Sequence, residues 1–134
     1  MKLSTKSEYA CLALIGLAEN YSTGDLCTIA EIAESKEIPK KYLEQILLIL
    51  KRSGYVRSYK GAQGGYKLSK EPEKINVAEI IRLMDGALAP VESVSKYFYE
   101  KTPIEKSNKL IAVFKQIRDY VSNTLESVTF ADLI

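Results

Sequence analysis

The chain has 134 residues, of which 46% are hydrophobic and 27% charged, and this suits one globular domain with an appended element. Histidine is absent and only two cysteines occur, Cys11 and Cys27, which makes a metalloenzyme or a histidine-dependent hydrolase a poor hypothesis. The net charge is only +2, yet residues 36–67 carry eight basic and two acidic side chains, and such a basic block indicates a polyanionic partner.

Two capping-box patterns predict the first two helices. Thr5-Lys6-Ser7-Glu8 precedes apolar residues at helical spacing, which predicts a helix over residues 5–20. Thr28-Ile29-Ala30-Glu31 repeats the pattern and predicts a short helix over residues 28–35. Both helices are therefore expected to begin with a side chain that accepts a free backbone amide.

A third helix and a hairpin are predicted after a tight connection. Pro39 is expected at the first helical position, and leucines and isoleucines at i, i+3, i+4 and i+7 predict a helix over residues 39–53. Two short β-prone runs, 55–59 and 66–68, flank the glycine-rich turn 60–65. This arrangement predicts a β-hairpin.

The second half of the chain predicts two further helices. Asn76-Val77-Ala78-Glu79 opens a fourth helix that ends at Gly86, and residues 87–103 lack periodicity and are expected to form a loop. Residues 104–127 predict a long amphipathic helix. Its apolar side chains have a near-heptad spacing that indicates a homodimer interface: Leu110, Phe114, Ile117, Val121 and Leu125.

The predicted fold is mostly α with a small β-hairpin, in the order of a winged helix-turn-helix protein. The winged helix-turn-helix domain is expected over residues 1–86, and residues 87–103 are a candidate effector or partner region. A dimerisation helix and tail are expected over residues 104–134. No apolar run is long enough to cross a bilayer and no signal-peptide pattern opens the chain, so we expect a cytoplasmic protein without a membrane partner.

The second helix of such a motif lies in the major groove, and its N-terminal residues contact base edges. Lysines there contact phosphates or guanine, while glutamate and glutamine can read cytosine and adenine. The candidate residues of this helix are Lys40, Lys41, Tyr42, Glu44 and Gln45. Glycines let a hairpin turn approach DNA closely, and a single cation at the tip suits a narrow minor groove. The candidate hairpin contacts are Arg57, Lys60, Gly61, Gly64 and Gly65.

Three segments carry a specific combination of motifs: Met1-Lys2-Leu3-Ser4-Thr5-Lys6, then Lys41-Tyr42-Leu43-Glu44-Gln45, and then the Gly-x-x-Gly-Gly-Tyr run between Lys60 and Leu68. Together they resemble the Rrf family of bacterial winged-helix transcription regulators. The resemblance implies a homodimer that binds a pseudo-palindromic operator, reads bases from the start of the third helix and inserts a wing cation into the minor groove. Family members usually have arginine where this chain has Lys60, which lacks the planar guanidinium fork.

The chain differs from the iron–sulfur members of the family in one segment. Those members carry three cysteines in the loop before the dimer helix, whereas residues 87–103 contain none. Cluster ligation needs thiolates, so we expect no iron–sulfur cluster and no other cofactor. The chain thus resembles the cluster-free, CymR-like branch, which implies a repressor and a metabolic enzyme as a further partner.

Two alternatives to an operator-binding regulator stay open at this point. A winged helix can also dock on a metabolic enzyme, although such interfaces are usually depleted in lysine. Cys27 lies just before the predicted second helix, where a lowered thiol pKa would suit a redox sensor. An enzyme has no support, because neither a nucleophile–base pair nor a phosphate-binding loop is present.

Overall fold

The elements follow one another in the predicted order. The computed structural model describes residues 1–134 and contains five α-helices and one two-stranded antiparallel sheet, which confirms the predicted fold class. The elements are α1 (Thr5–Glu19), α2 (Ile29–Lys36), α3 (Lys40–Arg52), β1 (Val56–Tyr59), β2 (Gly65–Leu68), α4 (Val77–Asp85) and α5 (Asn108–Glu126). No helix is both long enough and apolar enough to span a membrane.

The hydrophobic core is built by α1, α3 and α4. The inward face of α1 is rich in alanine, which lets α3 and α4 approach its backbone closely. Leu14 of α1, Leu47 of α3 and Ile80 of α4 are all fully buried. Phe130, from a C-terminal 3-10 turn (Phe130–Leu133), is also fully buried, so the tail after α5 closes one side of this core.

The capping box predicted at Thr28 forms, and a second one, which was not predicted, precedes α4. Thr28 accepts the Glu31 N–H at 3.1 Å, and the Glu31 carboxylate accepts the Thr28 N–H at 3.3 Å. Asn76 and Glu79 exchange the same pair of bonds at 2.9 and 3.4 Å ahead of α4. Each box satisfies amides that the first helical turn leaves without a partner.

The first helix begins at Thr5 as predicted, but its predicted cap is wrong by one position. Ser4, not Thr5, caps α1, because Ser4 has the extended backbone of a cap residue and its hydroxyl accepts the Ser7 N–H at 3.1 Å. Pro39 is likewise displaced: it lies just before α3 rather than at its first position, since its ψ of 127° is extended.

The segment between α4 and α5 is more ordered than the predicted loop. A 3-10 turn (Glu92–Val94) packs against α5, where Arg118 donates from Nη1 to the Val94 carbonyl at 2.9 Å. The Thr102 hydroxyl donates to the Ser93 hydroxyl at 2.9 Å. The predicted long helix therefore begins at Asn108 rather than at residue 104, because residues 103–106 form a separate 3-10 turn.

Asp85, at the C-terminal end of α4, ties that helix to the start of α1. Its carboxylate accepts the Ser4 N–H at 3.0 Å and also the Ser4 hydroxyl. Partial burial acts to raise the pKa of Asp85, but the two Ser4 hydrogen bonds and the nearby charge of Lys6 outweigh it and lower that pKa below its usual value. The ionised carboxylate is therefore the form that stabilises this junction.

We expect Asp85→Asn to lower the free energy of unfolding by about 0.5–1 kcal/mol at neutral pH, since the bonds to Ser4 lose their charge assistance at an exposed site where solvent screens the charge. Because the folded-state pKa is lowered, the Asp85 contribution is present above the unfolded pKa of about 3.9 and is lost as the pH falls through the folded value. Urea titrations across that range measure both effects. Asp25→Asn is the control, because the exposed Asp25 carboxylate accepts no hydrogen bond; a pH-independent deficit in Asp85→Asn would contradict the prediction.

Candidate nucleic-acid interface

The two faces of α3 have opposite character. Its apolar stripe is buried, with Leu43 and Leu47 fully covered. The polar side chains predicted to read DNA are all exposed on the other face: Lys40, Lys41, Tyr42, Glu44 and Gln45. The hydrophobic stripe thus anchors α3 and orients these five residues outward, where they lie together in the first two turns. Lysine ammonium, carboxylate and amide groups in that position match the contacts that a major groove offers.

Only three residues, 37–39, connect α2 and α3. Glu37 ends α2 with a left-handed backbone (φ 54°), the only residue other than glycine in this region of backbone space. Its neighbour Ile38 is buried and donates its N–H to the Ala33 carbonyl at 3.0 Å. This geometry turns the chain directly into Pro39 and α3, as a helix-turn-helix requires.

Tyr42 has a partner on α1 that the sequence analysis did not identify. The rings of Tyr9 and Tyr42 lie 6.0 Å apart at 59°, a tilted aromatic pair. Tyr42 is nonetheless 54% exposed. The contact therefore supports one flank of the Tyr42 ring and leaves its other flank at the surface of α3.

The hairpin forms the wing with the predicted turn. Val56 pairs with Leu68 and Tyr59 with Gly65, so residues 60–64 form the tip, closed by the Gly64 N–H and the Gly61 carbonyl at 3.0 Å. Lys60 lies in this tip and is exposed, as is Arg57 on β1. Both predicted wing cations are thus available to a polyanion.

The structure gives two of the wing glycines a role inside the protein. A Cβ atom on Gly64 would lie 2.1 Å from the Tyr59 carbonyl oxygen, and one on Gly65 would lie 2.8 Å from the Cys27 carbonyl oxygen. Gly61 has open space around it but a φ of 102°, which glycine adopts readily. Close backbone packing within the wing therefore accounts for Gly64 and Gly65, and turn conformation accounts for Gly61.

A backbone bridge docks the wing on the helix-turn-helix. The Cys27 N–H donates to the Tyr66 carbonyl at 2.9 Å, and the Tyr66 N–H donates to the Cys27 carbonyl at 2.7 Å. This pairing joins β2 to the residue just ahead of the α2 cap and fixes the wing relative to α2. It joins positions far apart in the chain through backbone atoms alone, so the sequence contains no local signal for it.

One basic side chain of the block 36–67 is neutralised by a carboxylate of the same chain. Lys36 forms an ion pair with Glu19 of α1, and its aliphatic stem lies over Gly16. The other basic residues between positions 40 and 67 form no ion pair with a carboxylate. The face that carries α3 and the wing therefore keeps most of its predicted positive charge.

Comparison with known proteins agrees with this geometry. The family model Rrf2, described as iron-dependent transcriptional regulator, matches residues 3–134 of the chain. The chain belongs to the Rrf2 family. The resemblance stated from the sequence motifs is thereby confirmed, and the winged helix-turn-helix described above is the fold of this Rrf2 chain.

Two relatives, CymR and IscR, match nearly all of this Rrf2 chain. The HTH-type transcriptional regulator CymR of Bacillus subtilis (strain 168) is 35% identical over 133 residues, which cover 99% of this chain and 89% of CymR. The solved structure of CymR, the global cysteine regulator of B. subtilis, has a TM-score of 0.79 and 32% identity and covers 99% of this chain and 95% of that one. IscR of T. potens has a TM-score of 0.76 and 32% identity, with 99% and 85% covered. The chain is thus a DNA-binding transcriptional regulator, as predicted.

The donor atoms of this Rrf2 chain do not fit an iron–sulfur cluster. Its only thiols are Cys11 on α1 and Cys27 ahead of α2, and histidine is absent. Nowhere do three Cys, Asp or Glu side chains come together as metal ligands. Residues 87–103 are instead held by protein hydrogen bonds from Arg118 and Thr102. Because an iron–sulfur cluster is bound through several thiolates, the residues of this chain do not provide a site for one.

The pKa of each of the two thiols is raised above its ordinary value. Burial raises the pKa of Cys27, and Glu31, Asp25 and Glu19 raise it further, although a hydrogen bond from Asn20 to the sulfur at 3.1 Å opposes the shift. The lowered pKa that the redox-sensor alternative requires is therefore not found at Cys27. Burial, with a smaller contribution from Asp85, raises the pKa of Cys11 to about 11. A low-pKa thiol sensor at Cys27 has no support from these surroundings.

The residues predicted for dimerisation divide between two environments. Val121 and Leu125 pack against the core of their own chain, and Phe114 is half-buried. Leu110 and Ile117 are 41% and 39% exposed. The exposed apolar row also contains two residues that the heptad spacing missed, Val113 and Tyr120, and we call Leu110, Val113, Ile117 and Tyr120 the α5 row.

Proposed function

We propose that this chain is a homodimeric repressor that binds a pseudo-palindromic operator without a cofactor and without enzymatic activity. The observation that carries the proposal is the exposed polar face of α3, with the five side chains predicted to read bases, together with a wing that carries the exposed Arg57 and Lys60. The cations would neutralise phosphates, while Glu44 and Gln45 would discriminate bases. The protein would act in the cytoplasm, where bacterial operators lie.

The α5 row supports the dimer. Its four apolar side chains follow one another at intervals of three and four residues, so they line one side of the helix, and each is between 39% and 75% exposed in the single chain. A second copy that packs its own row there would bury both, and a two-fold axis would then present two α3 helices to one face of DNA. Linking two half-sites in this way raises affinity strongly without new contacts.

The likeness to the global cysteine regulator of B. subtilis suggests where to look for operators. We propose that the target genes include genes of cysteine metabolism and the gene of this regulator itself. An operator that overlaps the promoter would make the protein a repressor.

The decisive experiment is fluorescence anisotropy with the full chain on DNA upstream of these genes and on scrambled duplexes of equal length, at several salt concentrations. We expect binding of the operator on the order of a thousandfold tighter than of the scrambled duplex. Equal binding to both would contradict sequence-specific regulation and would favour a basic face that docks on an acidic protein.

We expect Lys60→Ala to weaken operator binding and to reduce the slope of log K against log salt by about 1, because one phosphate contact is lost. Anisotropy titrations of the operator at several salt concentrations measure this slope. Lys101→Ala, which removes the same charge from the exposed segment before α5, is the matched control and should keep the wild-type slope. An unchanged slope in Lys60→Ala would show that the wing tip makes no DNA contact.

A further inference from the structure

The helix α5 contacts the winged helix-turn-helix, residues 1–86, through its C-terminal half; we call residues 1–86 the DNA-binding unit. The Val77 N–H donates to the Val128 carbonyl at 2.9 Å, and the Phe130 N–H donates to the Ile75 carbonyl at 3.0 Å, so backbone pairing fixes the tail. Val121 and Leu125 add apolar contact with the core. The rest of α5, which lies N-terminal to this attachment, carries the exposed α5 row.

Arg82 of α4 is the one charged side chain that ties α4 to α5. Its Nη2 atom donates to the Glu126 carboxylate at 2.8 Å and lies 3.5 Å from the Ser122 hydroxyl. The Arg82 side chain is only 16% exposed and Ser122 is buried. A planar guanidinium that meets a carboxylate and a hydroxyl one turn apart restrains both the distance and the rotation of α5 relative to α4.

One face of the same guanidinium is covered by a residue of the segment before α5. The Tyr97 ring lies over Arg82, with 4.8 Å between the ring centroid and Cζ, a cation–π contact. Tyr97 itself is 68% exposed. Arg82 is therefore the point at which α4, α5 and this segment meet, and α4 in turn packs on α1 of the DNA-binding unit.

We propose that Arg82 is a positioning residue that fixes the angle between α5 and the DNA-binding unit, and thereby the half-site spacing that the dimer accepts. The inference rests on the proposed homodimer, in which the α5 row joins the two copies. The 19 residues of α5 span about 28 Å, so a tilt of roughly 7° displaces one end by about 3.4 Å, the rise of one base pair. A small change at the Arg82 contacts is thus enough to alter the preferred operator.

The test compares wild-type protein with R82Q and E126Q on a series of duplexes. The parent duplex is the inverted repeat that the wild type selects from a random-sequence library, and its derivatives shorten or lengthen the spacer by one or two base pairs. A duplex with a single half-site is included. K74Q is the matched control, because it removes one cation from an exposed ion pair with Glu71 that does not involve α5.

We expect the wild type and K74Q to prefer the parent spacing on the order of tenfold over its nearest derivatives. In R82Q and E126Q this preference should fall below about threefold, while the affinity for the single half-site stays within about twofold of the wild type. R82E should behave in the same way, and adding E126R should restore the preference. Because E126Q probes the tie from its other partner, poor folding of one variant does not decide the result.

Several outcomes would overturn the inference. If R82Q and E126Q keep the wild-type spacing profile, Arg82 does not position the two units. If they lose half-site and operator binding in parallel, Arg82 has a general structural role. A wild type that sediments as a monomer, or that binds operator and scrambled DNA equally, contradicts the proposed function itself, so the two failures are distinguishable.

Discussion

Gly64→Ala is expected to weaken specific operator binding strongly while leaving the helices folded. The added methyl carbon would lie 2.1 Å from the Tyr59 carbonyl oxygen and 2.9 Å from backbone carbons of residues 59 and 60. Backbone cannot rotate away as a side chain can, so the tip must open. We expect a cost of about 3 kcal/mol at the wing from overpacking of the tip, and a loss of about a hundredfold in operator affinity.

The measurements are operator anisotropy, far-UV circular dichroism and amide exchange at Tyr66. Opening of the tip should expose the Tyr66 N–H, which otherwise donates to the Cys27 carbonyl, so faster exchange there is expected. Gly16→Ala is the matched control, because its added methyl would meet only the flexible Lys36 stem at 3.2 Å. Wild-type affinity in Gly64→Ala would show that the wing tip is not needed for binding.

The predictable parts of the fold are those encoded by neighbouring residues. The spacing of Leu43, Ile46, Leu47 and Leu50 determines which face of α3 is buried, and with it the exposure of the five residues between and beside them. The Thr28 and Asn76 capping boxes each lie within four residues. Local patterns of this kind also placed the wing turn, because glycine is required where the chain reverses.

The parts that sequence analysis missed depend on contacts between distant residues. Ser4 replaces Thr5 as the α1 cap in a position where it also bonds Asp85, and nothing near Thr5 reveals that contact. The bridge between Cys27 and Tyr66 uses backbone atoms only. The raised pKa of Cys27 has a similar origin, since burial of the thiol outweighs its proximity to a helix start.

The long helix α5 was predicted correctly as an element, but its exposed apolar side differs from the predicted apolar stripe. Heptad spacing predicted Val121 and Leu125 for the dimer interface. In the structure the tail after α5 pairs with residues 75–77, and this end of the helix packs against the core of its own chain. The exposed side is therefore rotated toward Val113 and Tyr120. Periodicity identifies an apolar stripe, but it does not say how much of the stripe the same chain covers.

Ile117→Asp is expected to convert the protein to a monomer and to weaken operator binding on the order of a hundredfold or more, because each copy must then find its half-site independently. Ile117 lies within the α5 row, 39% exposed on the single chain. In a dimer that buries this row, the introduced carboxylate would lose its water without gaining a partner, and burial of an unpaired charge is strongly unfavourable.

Ala112→Asp separates this effect from the added negative charge alone. Ala112 is exposed on the same helix but lies outside the α5 row, so the same acid there should leave the dimer intact. Sedimentation velocity measures the oligomeric state, and anisotropy on the operator and on a single half-site measures binding. We expect Ile117→Asp to bind the half-site as the wild type does and to lose only the advantage of the full operator. A dimeric Ile117→Asp would show that the two copies associate through another surface, and the α5 row would then be free for a different partner.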